Sequence, residues 1–388
     1  MRIRGAAVYT EKGVFEEKDI YVREGIFAAE PIGNAVECEE EYDAGGCYAV
    51  PGFTDIHFHG CVGKDFCDGT VEAIETMAAY QARIGVTCIV PTTMTMDEDT
   101  LFATALAAAE FQKRQTMGEF AETAALCGIH MEGPFVSKEK AGAQNPKFVK
   151  LPDQRLYEAM QEKSGDMVKL VAIAPELSGA EAFIRQNHEK SVMSVAHTIA
   201  DYDTAKKAFD AGATHVTHLY NAMPGFSHRQ PGVIGAAADA GVEAELICDG
   251  IHVHPSAVRM ALKLFGEDRV IFISDSMMAT GLAEGNYSSG GQPVTVSGKL
   301  ATLKDGTIAG SVSNLTDCVR CAVLEMGIPL TTAVKCAAEN PTKCVGIYDK
   351  YGSITQGKVA NLVLLDKKDL SVRQVFLQGK PLLQDGRK

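Results

Sequence analysis

Between Cys47 and Met277 the chain repeats one unit eight times, a short apolar run followed by a stretch of helical period. The runs are CYAVPGFTDIHFHG, VTCIVPTT, ALCGIHMEGPF, MVKLVAIAPE, SVMSVAHTI, THVTHLYNAM, EAELICDG and RVIFISDSM. Short runs rich in Val and Ile read as strands buried on both faces, which happens when helices cover a parallel sheet. The stretches between them, such as TVEAIETMAAYQARIG, DTAKKAFDAGA and PSAVRMALKLFGED, space their apolar residues three and four apart and tend to end at Gly. Eight such pairs predict a closed (β/α)8 TIM-type barrel. An open doubly wound sheet has fewer strands and a Gly-rich first turn, absent here.

Outside the repeat, residues 1–48 and 352–388 read as short strands separated by turn residues. They predict one small β-sandwich domain built from both ends of the chain, with the barrel domain spanning 49–351.

The formal net charge of −13 argues against a nucleic-acid partner, because phosphate backbones demand clustered Lys and Arg. A small anionic ligand remains compatible if cations are placed locally. The N-terminal MRIRGAAVYTEKGVFEEKD lacks the apolar stretch of a secretory signal, and no window reaches the roughly 18 apolar residues of a spanning helix. A cytoplasmic protein without a membrane partner is expected. The 11 cysteines, an odd number scattered through apolar runs, suit reduced core thiols. The lone CxxC, Cys318 to Cys321, has no second pair and lies in a helical pattern, so packing explains it better than zinc.

In barrels of this kind the active site lies at the carboxyl ends of the strands. There the first run ends in His57 and His59, the third in His130 and Glu132, the fifth in His197, the sixth in His218 and Asn221, the seventh in Asp249 and His252, and the eighth in Asp275. Residues i and i+2 of a strand share a face, so His57 and His59 look one way. Each residue alone has a plain explanation, as a turn cap, a helix cap or a core imidazole. Together they converge on one barrel mouth, where unpaired buried polar groups would each cost stability. A divalent cation satisfies them jointly, and the imidazole and carboxylate donors suit zinc or iron better than calcium or magnesium. Asp275 is the candidate general base for water at such an ion.

In order along the chain, PGFTDIHFHG, HMEGPF, AHTIA, THLYNAM, ICDGIHVHP and ISDSMMATG resemble the motifs of the N-acetylglucosamine-6-phosphate deacetylase family of the amidohydrolase superfamily. The tail GSITQGKVANLVLLD resembles the closing segment of the superfamily. The resemblance implies metal-dependent removal of acetate from an amino-sugar 6-phosphate, in amino-sugar catabolism and cell-wall sugar recycling. It implies that Glu132, His197 and His218 hold one ion and that His57, His59 and a bridging Glu132 hold a second, with Asp275 at the metal as base. It assigns Asn221 and the backbone at Ala222 to the substrate phosphate, His252 to the sugar, and Arg229 to the phosphate across a homodimer interface. Many family members carry His before the Asn-Pro of the loop that here reads AGAQNPKF. Gln144 in that position can donate a hydrogen bond to an acetyl carbonyl but cannot carry charge.

Three other readings compete. The first is an N-acetylgalactosamine-6-phosphate deacetylase. The second is a ring-opening amidase or deaminase on the same barrel; ring-opening relatives use a strand-4 lysine, whereas Lys169 here stands at the start of its run. The third is a non-catalytic sugar-phosphate binder, which the complete ligand set and Asp275 oppose.

Overall fold

The computed structural model describes residues 1–30 and 40–383; the parts of the two terminal segments at 31–39 and 384–388 lie outside the described residues. The barrel strands are β1 (Phe53–Asp55), β2 (Val86–Ile89), β3 (Ile129–Glu132), β4 (Val168–Ile173), β5 (Val192–Val195), β6 (His215–Val216), β7 (Glu243–Ile247) and β8 (Val270–Ile273). Parallel pairing joins β1 to β2, and each strand from β3 to β8 to the next. Two short extensions bridge β2 and β3: Ala125–Leu126 pairs with β2, and Thr92–Thr93 with β3. The ring closes where Asp275 donates its backbone N–H to the His57 carbonyl at 2.9 Å and His59 donates to Ser276 at 2.8 Å.

The helices begin and end where the sequence marks them. Thr70 caps Val71–Arg83, Asp97 caps Glu98–Thr116 and Asp201 caps Tyr202–Asp210, each side chain accepting from a backbone N–H in the first turn. The Pro255–Phe265 helix has Pro at its start, and the ring of His254 accepts from Ser256 N–H at 3.2 Å. That gives His254 a structural role which its sequence pattern left open. Cys318 and Cys321 both lie buried in the helix Leu315–Leu324, among core residues.

The first apolar run is divided. Cys47–Pro51 pairs antiparallel with Leu362–Asp366 and parallel with Ala7–Tyr9, so it belongs to the terminal sheet, and β1 begins only at Phe53. Gly52 is the crossing point. A Cβ there would lie 2.1 Å from Thr87 Oγ1 on β2, so the backbone can pass only without a side chain.

The terminal sheet runs Lys380–Pro381, Val372–Leu377, Leu362–Asp366, Cys47–Pro51, Ala7–Tyr9, Phe15–Glu17. Facing it is a four-stranded sheet of Ile26–Ala28, Ile20–Arg23, Arg2–Arg4 and Glu41–Asp43. Ile3, Val8, Val22, Phe27, Leu362 and Phe376 fill the space between, as in a β-sandwich core.

One element was not expected from the sequence. An antiparallel three-stranded sheet, Gly285–Ser289, Gln292–Ser297 and Leu300–Thr302, follows β8. Val294, Val296 and Ala301 pack it onto Met277 and Ala279, just beyond the carboxyl end of β8. Among the described residues no helix is long and apolar enough to cross a membrane.

Candidate metal centre

The strand ends turn sharply inward. His197, His218 and Asp275 have φ of +43°, +30° and +48°, a left-handed backbone that costs on the order of 1–3 kcal/mol per non-glycine residue. Three such residues at one rim indicate that the surrounding structure enforces a geometry the chain would not choose locally.

Their side chains meet at Glu132. Its Oε1 lies 3.0 Å from His197 Nε2 and 2.9 Å from His218 Nε2, and those two nitrogens are 3.1 Å apart. On the other side, His59 Nε2 lies 3.2 Å from Glu132 Oε2 and 3.3 Å from Asp275 Oδ1. His57 Nε2 lies 3.5 Å from Glu132 Oε1 and 3.7 Å from Asp275 Oδ1. The sequence-derived ligand set therefore forms two adjoining groups, Glu132 with His197 and His218, and His57 with His59 and Asp275, with Glu132 between them.

The far side of each ring shows what the near side requires. His197 Nδ1 lies 2.8 Å from the Lys140 carbonyl, His59 Nδ1 3.1 Å from the Thr92 carbonyl, and His57 Nδ1 2.8 Å from Glu245 Oε2. These partners only accept, so each Nδ1 carries the hydrogen, and where a cation stands at the centre each ring is neutral and turns a lone pair on Nε2 toward it. The centre therefore requires positive charge, supplied either by protons on the Nε2 atoms or by a cation that the lone pairs and carboxylate oxygens share. His57 Nε2 has no hydrogen-bond partner despite complete burial. The donor set fits a divalent cation.

Without a cation that demand falls on the rings themselves. Burial opposes the charged form of His59, but hydrogen bonds to Asp275 and Glu132 prevail and push its pKa up to about 10. Burial would raise the Asp275 carboxyl, yet the His59 hydrogen bond and the His57 charge hold it at about 2. Glu132 is likewise held well below the carboxylate range, by His57 and His197, against its own burial. The site is built for net positive charge at its centre.

A cavity of about 450 Å³ opens above it, lined by His59, Glu132, His197, His218 and Asp275 at its base. Asn221, Ala222, His252 and Gln144 stand in the same lining. A larger cavity of about 730 Å³ lies against the Glu98–Thr116 helix, but none of the candidate ligands lines it. Gln144 is engaged at both ends: its amide donates to Glu132 Oε2 at 2.7 Å, and its oxygen accepts from Thr95 N–H at 2.6 Å. It buttresses Glu132 as it stands. The ring of His252 is fixed by Asp249, 2.7 Å from its Nδ1, and that carboxylate also accepts the His252 backbone N–H at 2.9 Å. Arg229 lies in the exposed stretch 225–230, outside the cavity lining.

Several lining residues escaped the sequence. Lys140 is the one Lys or Arg in the lining, and Ser289, Thr307, Ile308 and Gly310 come from the unexpected sheet and the loop after it. Inside the barrel, Glu245 is fully buried beneath His57. It lies mid-strand in β7, away from the strand ends where the barrel rule places a site. His130, on β3, lies behind the centre with Nδ1 3.1 Å from the Ile56 carbonyl, and burial pushes its pKa down to about 3. Lys169 is the second residue of β4, at the amino end.

The amidohydrolase family profile matches residues 48–382. Among curated relatives, an N-acetylglucosamine-6-phosphate deacetylase of Bacillus subtilis (strain 168) is 36% identical over 372 residues, covering 94% of this chain and 92% of its own. An N-acetylgalactosamine-6-phosphate deacetylase of Escherichia coli O157:H7 is 32% identical over 381 residues, covering 97% and 98%. Among solved structures, a mutant N-acetyl-D-glucosamine-6-phosphate deacetylase from Mycobacterium smegmatis, in complex with N-acetyl-D-glucosamine 6-phosphate, superposes with a TM-score of 0.90 at 31% identity, covering 99% of both chains.

Proposed function

This chain belongs to the amidohydrolase family, and from that premise we propose that it hydrolyses N-acetylglucosamine 6-phosphate to glucosamine 6-phosphate and acetate, a step of amino-sugar metabolism. The observation that carries the reading is the position of Asp275, beside the His59 and Glu132 ligand atoms at the base of a cavity whose lining also holds Asn221, Ala222 and His252.

A divalent cation, zinc or iron, held by Glu132, His197 and His218, with His57 and His59 available for a second, would supply Lewis-acid activation of the acetyl carbonyl and of water. Asp275, held ionised, accepts the proton of the attacking water and passes it to the amide nitrogen, so that the C–N bond breaks with a neutral amine leaving. Gln144, bonded to Glu132, keeps that carboxylate oriented. Burial opposes the charged form of His252, but Asp249 outweighs it, and the ring can offer Nε2–H to a sugar hydroxyl. The amide of Asn221 and the backbone at Ala222 suit phosphate oxygens.

Arg229, exposed and away from its own cavity, fits a homodimer in which it reaches the phosphate of the neighbouring site. A cytoplasmic location belongs to the same reading, and core thiols such as Cys61, Cys88 and Cys248, buried among apolar residues, suit it. The galactosamine epimer is the second reading, favoured by the Escherichia coli relative.

Following acetate release from both N-acetylhexosamine 6-phosphates and from unphosphorylated N-acetylglucosamine tests all of this. Release should be fastest with the glucosamine 6-phosphate, and no release from any of the three overturns the proposal.

A further inference from the structure

A carboxylate with no solvent contact lies one layer below the candidate ion site, and the reaction as derived does not use it. Glu245 sits at the middle of β7 and is completely buried. One of its oxygens, Oε2, does two things. It accepts from His57 Nδ1 at 2.8 Å and from the backbone N–H of His218 at 3.0 Å. The first bond governs which nitrogen of His57 faces the centre. The second holds a residue whose φ is +30°, at the other ion position. Its second oxygen, Oε1, has no hydrogen-bond partner and stands 3.8 Å from His215 Nε2.

We infer that Glu245 is a positioning residue that sets the tautomer of His57 and couples it mechanically to His218, so that one buried acceptor aligns a ligand from each of the two ion positions. The argument rests on the proposed ion site. Without an acceptor below it, the His57 ring could carry its hydrogen on either nitrogen, and hydrogen on Nε2 would close that nitrogen to a cation. Losing the acceptor would also leave the His218 N–H buried and unmatched at a strained backbone position, which favours a relaxed φ and a displaced ring. Sequence distance hides the coupling, because Glu245 is far from both histidines along the chain and belongs to neither motif.

Two variants separate the hydrogen bond from the charge. Glu245→Gln keeps an oxygen that can accept from both donors, whereas Glu245→Leu keeps the bulk and removes the acceptor. For each, zinc is titrated into chelator-treated protein, ions per chain are counted by mass spectrometry, and ¹⁵N-histidine NMR of the zinc-loaded protein reads the proton on His57 Nδ1. Removing an outer partner of a metal ligand typically weakens binding about 10- to 100-fold. That loss is expected in Glu245→Leu, together with rapid solvent exchange of the His57 Nδ1 proton and a fall in kcat at nearly unchanged KM. Glu245→Gln should stay within about tenfold of wild type, with the Nδ1 proton still protected.

Wild-type zinc affinity and a protected proton in Glu245→Leu overturn the inference, and so does equal loss in both variants. Should Glu245→Leu fail to fold, Glu245→Gln decides alone: loss of zinc binding there, with the acceptor intact, overturns it. Because zinc counts and the NMR signal need no substrate, failure of the wild-type protein to release acetate would sink the proposed reaction and leave this test readable.

Discussion

The barrel mouth and the terminal sandwich solve opposite problems with the same chain. In the sandwich, Ile3, Val8, Leu362 and Phe376 are buried against apolar neighbours, and the backbone pairs in regular ladders. At the mouth, Glu132, His57, His59 and His218 are almost equally buried, yet the neighbours are polar and three of the candidate ligand or base residues hold a left-handed backbone. Burial stabilises the first region through water excluded from hydrocarbon. It destabilises the second unless a cation completes it. Apolar density thus concentrates in one region what the other spends, the usual relation between a scaffold and a site.

That contrast can be broken by experiment. The largest effect should come from Asp275→Asn, which keeps size and removes the proton acceptor: kcat is expected to fall by about 10²- to 10⁴-fold. Ion content, measured on the same preparation, should remain, and a rate within tenfold of wild type with the ion still bound would end the base assignment. Next, Phe376→Ala in the sandwich should cost roughly 3–5 kcal/mol of unfolding free energy, read by denaturant titration. Its kcat should be unchanged where the chain remains folded, and a kcat loss matching the stability loss would show that the two regions are not independent.

Chelation starts from the mouth and should move activity and stability together. A cation present at 100 times its dissociation constant adds about 2.7 kcal/mol to the folded state. Stripping it should therefore lower the melting temperature and abolish acetate release together, with recovery on adding zinc or iron. The smallest effect is that of His254→Ala, which removes a helix cap and should cost about 1 kcal/mol with the site untouched.

Much of both regions could be read from sequence, for different reasons. Strands β2 to β8 stand out as apolar runs, and the barrel rule points to their ends, so His57, His59, Glu132, His197, His218 and Asp275, which the structure brings together, are legible without contacts. The first run misleads because periodicity is blind to a chain changing sheets: CYAVPGFTD looks continuous, and the break shows only in the pairing of Cys47–Pro51 with Leu362–Asp366 and of Phe53–Asp55 with β2. The sheet at 285–302 is masked by turn residues, although QPVTVS alternates in the structure between exposed and buried positions as a strand with one buried face should. Glu245 was hidden more deeply. Its function is defined by His57 Nδ1 and the His218 N–H, and no local pattern encodes a partner brought up by barrel closure.

The pairing of Cys47–Pro51 with Leu362–Asp366 has a consequence for synthesis. A ribosome delivers the first of these strands long before the second, and throughout that interval the nascent terminal sheet has an open edge where its central neighbour belongs. Premature termination anywhere in the barrel would release a chain with that edge permanently bare, prone to association with its own kind. Closing that edge therefore waits on Leu362–Asp366, although no residue of this strand is among the candidate ligands.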